Sequence, residues 1–271
     1  MYPILLTIGS FHLYSYGLCM ATAFAVGIYL IARDLSKYLV PELGLKREEI
    51  FQSTFDLFSV IIPVSLIGAR IWFVLENHQL FTGSHWIQAF YIWQGGLVWY
   101  GGLLGAFVAG FFWLKHKKWP IAKVLDLTAP YVLLGQGIGR IGCFLNGCCY
   151  GVVSAKYGMI FPAIGDNLPH LPTELYEMVG DFALFGLMLL LRKKTIQYAW
   201  WNICFYSFTY GVLRYILECY RRNGSKHYLI YFLSPSQAFS FFQMVIFGIL
   251  VGWISCYHLW FKKNHPALEH T

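Results

Sequence analysis

The sequence predicts an all-α, polytopic membrane protein with seven transmembrane helices, and three observations carry that reading. Hydrophobic residues make up 58% of the 271 and charged ones only 12%, whereas a soluble domain carries about 25% charged residues. Seven apolar runs reach the roughly 17–25 residues that a helix needs to cross a bilayer. The basic residues gather in short segments between the runs, where topology determinants sit. The spans fall near 13–32, 51–75, 96–114, 124–145, 175–191, 199–220 and 237–261 of a single transmembrane domain covering 1–271.

The first run is read as a retained helix. No Lys or Arg precedes Arg33, so it lacks the basic flank of a cleavable signal peptide. The second carries Arg70. The third holds Gly101-x-x-x-Gly105-x-x-x-Ala109, a small-residue stripe that lets helix backbones approach in lipid. The fourth contains "GQGIGRIGCFLNGCCYG", residues 135–151, with Arg140 among its glycines. The fifth opens on "ELYE" with Glu177. The sixth reads Tyr210-x-x-x-Arg214-x-x-x-Glu218, one stripe at i, i+4 spacing. The seventh opens on "SPSQ" with Gln237.

Loop charges orient the chain. Thirteen Lys and Arg lie on one side, in 33–50, 115–123, 192–198 and the C-terminal tail; four lie on the other, Lys156, Arg221, Arg222 and Lys226. The richer side is cytoplasmic by the positive-inside rule. The N-terminus is therefore expected outside and the C-terminus in the cytoplasm. This placement also disposes of a nucleic-acid reading of the net charge of +7: no nucleic-acid partner is expected.

Three basic residues, Arg70, Arg140 and Arg214, fall within spans. An arginine in a bilayer costs several kcal/mol, about 3 on insertion scales, unless it faces a polar interior. With the orientation above, all three lie towards the outer leaflet. Tyr16, Tyr100, Glu177 and Gln237 lie near outer helix ends as well. The helices are thus expected to surround a central polar cavity open to the outer leaflet. Arginine's planar fork suits bidentate phosphate binding, and the bilayer's own phosphate is the phospholipid headgroup. An anionic lipid is the ligand this chemistry favours, although Arg214 and Glu218 equally suit a simple ion pair between turns.

Gly137-x-Gly139-x-x-Gly142 fits a dinucleotide fingerprint by letter. That fingerprint works only between a strand and a helix of a βαβ unit, and this apolar stretch offers neither. Cys143-x-x-x-x-Cys148-Cys149 lacks the C-x-x-C pairs of a structural zinc site, and His170 is the one histidine in the following loop. The cysteines are read first as packing residues, with no metal or cofactor expected. Seven cysteines scattered through apolar segments form no disulfide framework.

Seven stretches in order resemble the bacterial prolipoprotein diacylglyceryl transferase family. They are "LYSYGLCMA" (13–21), "GARIWFVL" (68–75), "IWQGGLVWYGGLLGA" (92–106), "GRIGCFLNGCCYG" (139–151), "LPTELYE" (171–177), "YGVLRYILECYR" (210–221) and "LSPSQAFS" (233–240). The resemblance implies a multi-pass enzyme of the bacterial inner membrane, built as a seven-helix bundle. It implies transfer of the sn-1,2-diacylglyceryl group of phosphatidylglycerol to the lipobox cysteine of a preprolipoprotein signal peptide, giving a thioether and glycerol phosphate. By the same resemblance Arg140 and Arg214 are the essential arginines, with Tyr16 and Tyr100 beside them as catalytic candidates. Asn146, Gly151, Tyr210, Glu218, Arg70, Glu177 and Gln237 are candidates for substrate binding, and Arg221 stands at a family position. Three residues depart from the commoner family pattern: Tyr100 replaces a histidine considered as the base, Cys143 an asparagine, and Cys148 an acidic residue. Two other readings stay open: a paralogue with a different acceptor, or a non-catalytic protein that binds or transports lipid.

Overall fold

The computed structural model describes residues 1–9, 11–92, 95–221 and 234–264. A helix of 18 residues or more stands at each of the seven predicted runs: α1 (Ser15–Tyr38), α3 (Arg47–Glu76), α4 (Trp99–His116), α5 (Ile121–Asn146), α6 (Thr173–Thr195), α7 (Trp201–Glu218) and α8 (Pro235–Asn264). The short α2 (Val40–Leu43) lies between α1 and α3. By length and composition, Ser15–Tyr38, Arg47–Glu76 and Pro235–Phe261 can each cross a membrane. Large apolar side chains such as Phe107 and Phe112 on α4 and Ile249 and Trp253 on α8 are exposed, a surface suited to hydrocarbon rather than water.

The all-α expectation needs one amendment. An antiparallel hairpin of β1 (Ile4–Ile8) and β2 (Phe11–Tyr14) precedes α1, so the first helix starts two residues later than expected. Apolar residues on both sides of Gly9, which turns at φ 59°, are a hairpin signal. A second two-stranded sheet, β3 (Met159–Ile160) with β4 (Pro169–His170), lies in the 146–173 loop.

The chain divides into two compact units. Ile31–Val124 form one, centred on α3 and α4. The predicted small-residue stripe is its seam: a Cβ on Gly101 would strike the Gly68 backbone, and one on Gly105 would meet Val64 and Ser65. The Val98 amide donates to the Ala69 carbonyl at 3.1 Å. Lys123 reaches Glu42 in an ion pair that ties α5's first turn to α2.

Met1–Leu30 and Leu125–Thr271 form the other unit. Ala129, Leu133 and Met188 are its buried apolar centre, packed by Leu184, Phe185, Ile203, Phe205, Tyr206 and Tyr210. Asp126 of α5 caps α7 from outside, accepting from the Trp200 amide at 2.7 Å and the Ile203 amide at 2.9 Å. Those amides are among the donors a helix leaves unpaired at its start. Along the α7–α8 seam, the Trp201 indole donates to Ser255 Oγ at 3.0 Å and the Gln243 amide to the Ser207 carbonyl at 3.0 Å.

Candidate active site

The last turns of α5 hold the stretch that matched a nucleotide motif by letter, and its glycines prove to be notches for side chains. A Cβ on Gly137 would strike the Phe182 ring, and one on Gly142 would meet Cys19 and Tyr16. Gly139 faces the Met20 sulfur. Tyr16 therefore lies against α5 two residues beyond Arg140.

Arg140 does not stand alone. Its Nη2 donates to Glu177 Oε1 at 2.7 Å, while Glu177 Oε2 accepts from Arg214 Nη1 at 3.1 Å. Tyr210 Oη donates to the same Oε1 at 3.2 Å. Arg214 Nη2 continues to Glu218 Oε2 at 3.0 Å, and Arg221 Nη1 lies 3.9 Å from that oxygen. The result is a ladder, Arg140–Glu177–Arg214–Glu218–Arg221, running across α5, α6 and α7 to the first residues beyond. Glu177 is 2% exposed and Glu218 6%, so both carboxylates are held away from water. Buried charges persist only when paired and hydrogen-bonded, and these are both.

Two acidic residues near Glu177 were not singled out from the sequence. Glu174 and Asp181 are buried on α6, and their carboxylate oxygens meet no hydrogen-bond partner on other described residues. With Glu177 they form an i, i+3, i+7 stripe, a spacing that sequence inspection of α6 could have caught.

Three thiols adjoin the ladder. After Asn146 the chain turns through Gly147 at φ 73° and Cys149 at φ 70°. Cys148 and Cys149 thereby return to Cys143, and the three sulfurs lie within 4.8 Å of one another. The spacing read as packing has become a cluster. Cys143 is buried and the other two half-buried. Arg140 Nη1 lies 4.0 Å from the Cys143 sulfur, and the Asn146 side chain bonds Cys148. Hydrogen bonds from Cys143 and then Cys148 hold the Cys149 thiol below its ordinary range; burial opposes them, and the Arg221 and Arg140 guanidiniums assist. His170 is fully buried with Nδ1 on the Gly151 carbonyl at 3.1 Å and Nε2 on Asp166 at 2.9 Å. Neither of its nitrogens is left for the thiols.

Gly151 joins the residues just before α6 to those just after α7. Its amide donates to the Leu171 carbonyl at 2.7 Å, and it forms a bridge with Arg221. A Cβ there would meet the Tyr220 carbonyl, Thr173 and Leu171. Only glycine fits without displacing backbone.

Arg70 and Gln237 have main-chain partners. Arg70 spends its guanidinium on main-chain carbonyls: Nε on Ala89 at 2.7 Å, Nη2 on Gln88 at 2.6 Å, and Nη1 on Gly95 and Gly96 at 2.7 and 3.1 Å. Phe73 and Phe81 face the guanidinium at 5.2 and 5.6 Å. The residues around it, with Leu80, line a cavity of about 450 Å³. Two of those carbonyls end a 3-10 helix (Gly83–Phe90) and two belong to glycines with positive φ beyond it, and the arginine gathers all four. Gln237 starts α8: its Oε1 accepts from the Ser234 backbone amide at 3.0 Å, its own backbone amide donates to Ser234 Oγ at 3.1 Å, and its Nε2 donates to Cys219 Sγ at 3.5 Å. This is a reciprocal capping box, with Pro235 at the first helical position. Tyr100, in the first turn of α4, belongs to the Ile31–Val124 unit and is partly exposed. Of the loop cations, Arg222 and Lys226 lie outside the described residues.

Mostly helical, with three helices long and apolar enough to cross a membrane and a buried ladder of arginines and carboxylates beside three thiols, the chain is of the helical membrane-protein class. The family model described as prolipoprotein diacylglyceryl transferase matches residues 3–254, and the chain belongs to that family. It is 33% identical over 262 residues to the phosphatidylglycerol–prolipoprotein diacylglyceryl transferase of Aeromonas salmonicida, covering 93% of this chain and 89% of that one. It is 30% identical over 255 residues to the enzyme of the same name from Clostridium tetani, covering 93% and 96%. Against that of Geobacter sulfurreducens it is 30% identical over 228 residues, covering 83% and 84%.

Proposed function

We propose that this chain transfers the sn-1,2-diacylglyceryl group of phosphatidylglycerol to the lipobox cysteine thiol of preprolipoproteins, forming a thioether and releasing glycerol phosphate. The observation that carries the reading is the pair of buried arginines, Arg140 and Arg214, set on the two oxygens of Glu177 within stretches matching the family's.

The chemistry follows from charge. The acceptor sulfur attacks the glycerol carbon, the carbon–oxygen bond to phosphate breaks, and the electron pair leaves on the phosphate oxygen. Negative charge grows on that phosphate as the bond breaks. Arginines already positioned for it contribute most at that moment. Each guanidinium has five N–H donors, and Glu177 takes one from each arginine. Glu218 takes another from Arg214, and the donors beyond these suit a headgroup phosphate. Thiolate, not thiol, is the nucleophile, and Tyr100 and Tyr16 are the phenols assigned to the reacting end. Asn146, Gly151, Tyr210, Glu177 and Glu218 shape the substrate site. Arg70 and Gln237 act at one remove, Arg70 by holding 88–96 and Gln237 by starting α8.

The seven long helices cross the inner membrane around a polar cavity open to the outer leaflet, with the N-terminus outside and the C-terminus cytoplasmic. The excess of thirteen loop cations over four supports that orientation.

The test is direct. Purified protein in phosphatidylglycerol vesicles is given a lipobox peptide, and mass spectrometry follows the diacylglyceryl addition while glycerol phosphate is assayed. Product from the parent and none from a folded Arg140→Ala variant is the expected result. No product from the parent would leave a lipid-binding or transport role; undiminished turnover by Arg140→Ala would remove the role given to that arginine.

A further inference from the structure

The three thiols are placed where the acceptor sulfur must arrive. Arg140 touches both sides of the reaction: Nη2 is on the Glu177 carboxylate at 2.7 Å and Nη1 lies 4.0 Å from Cys143 Sγ. A lipid phosphate held by Arg140 therefore lies within a few ångströms of the thiol cluster. Three sulfurs within 4.8 Å of one another are close to a metal's requirement. Two thiolates on one zinc, each about 2.3 Å from it, sit about 3.8 Å apart, and small χ1 rotations close the difference.

The backbone is built to hold them there. Cys149 has φ 70°, a conformation uncommon for any residue but glycine, and one that persists only where its surroundings enforce it. The enforcement is visible: Thr173 Oγ1 donates to the Cys149 carbonyl at 2.8 Å, and the Cys148 amide to the Cys143 carbonyl at 3.1 Å. His170 is withdrawn by its two bonds to Gly151 and Asp166, so the cluster offers three sulfur ligands. Three protein ligands and one open position is the arrangement of a catalytic zinc rather than a closed structural one.

We propose that Cys143, Cys148 and Cys149 bind one Zn²⁺ as a trithiolate, and that its fourth position takes the acceptor cysteine of the incoming peptide. The inference rests on the transferase reading above. On coordination the acceptor S–H releases its proton to solvent, since a thiol bound to zinc is deprotonated outright. The bound sulfur then attacks the glycerol carbon and the carbon–sulfur bond forms. The carbon–oxygen bond breaks with its electron pair going to the phosphate held by Arg140. The product thioether, neutral and a poorer ligand, leaves the metal. No electron is exchanged with any oxidant. Three substitutions acquire a joint meaning: Cys143 and Cys148 stand where the commoner family pattern has an asparagine and an acid, and Tyr100 where it has the histidine considered as the base. A metal that ionises the thiol removes the need for that base.

The test uses the full chain in detergent, stripped with chelator, with folding followed by its melting curve. Titration with Zn²⁺ alone should give one equivalent per chain. Co²⁺ in its place should give the intense sulfur-to-metal absorption of a tetrahedral thiolate site, and a lipobox peptide should strengthen it while a Cys-to-Ser peptide does not. Cys149→Ser should lose the bound metal. A double variant, Cys143→Asn with Cys148→Glu, supplies residues the family fold already accepts there and should also lose it. Chelated enzyme should fall at least tenfold in turnover and recover with Zn²⁺. Less than a tenth of an equivalent in folded protein, a Cys–Cys disulfide in place of free thiols, or full turnover after chelation overturns the proposal. Full turnover after chelation does so while leaving the transferase reading standing. Metal and peptide-thiol binding with no product in any state would uphold the site and overturn the transferase reading instead.

Discussion

Replacing Glu177 by glutamine tests the ladder at its central rung. The side chain is 2% exposed and accepts from Arg140 at 2.7 Å, Arg214 at 3.1 Å and Tyr210 at 3.2 Å. Glutamine keeps the shape, loses the charge, and turns an NH2 group towards one of the two guanidiniums. Breaking a buried ion pair by removing one partner costs about 3–5 kcal/mol. The retained amide oxygen still serves one donor, so the lower end, about 3 kcal/mol, is expected for Glu177→Gln. At about 2–4 °C per kcal/mol for chains of roughly this size, the melting temperature should fall by about 6–12 °C. Scanning fluorimetry in detergent measures it. Turnover at saturating phosphatidylglycerol should drop as well, because the two arginines lose their common anchor. KM for the lipid should not rise, since the carboxylate that competes with phosphate has gone. A melting curve within a degree of the parent, with normal turnover, would show that Glu177 does not organise the arginines.

Other perturbations separate positioning from binding. Arg70→Met strips four carbonyl bonds from 88–96; unsatisfied buried groups cost about 1–3 kcal/mol each. Its melting temperature should drop while KM for phosphatidylglycerol stays put, and a rise in KM at unchanged stability would place Arg70 on the lipid instead. Gly151→Ala forces a methyl group against the Tyr220 carbonyl and Thr173, and limited proteolysis of the 146–173 loop should speed up markedly. Asp126→Ala removes the cap of α7 and should cost about 1–2 kcal/mol, seen as a lower melting temperature without change in turnover per folded molecule.

The long helices were legible because apolar runs of spanning length leave few alternatives. The glycine stripe of α4 was legible for a related reason: Gly101 and Gly105 do admit the α3 backbone. Partners were harder to read. The acid in Arg140's own helix, Asp126, is fourteen residues away and caps α7, and Glu177, which pairs with Arg140, comes from α6. The "SPSQ" opening was read for its polar glutamine, and its spacing also spelled a capping box for α8. The thiol cluster was out of reach from spacing alone, because two left-handed residues, Gly147 and Cys149, bring Cys148 and Cys149 back to Cys143. The hairpin was hidden for the opposite reason: its apolar residues merge with the first span's.

The ladder also sets a timetable for the growing chain. Arg140 precedes Glu177 by 37 residues, and Glu177 precedes Arg214 by another 37. At about 5–20 residues per second, each cation–carboxylate partnership waits roughly 2–7 s for its second member. Until Glu177 is made α5 carries Arg140 without its carboxylate, and until Arg214 is made α6 brings three acids, Glu174, Glu177 and Asp181, to one arginine. Neither helix is well suited to lipid by itself, so α5, α6 and α7 are better released from the insertion machinery as a group than one at a time.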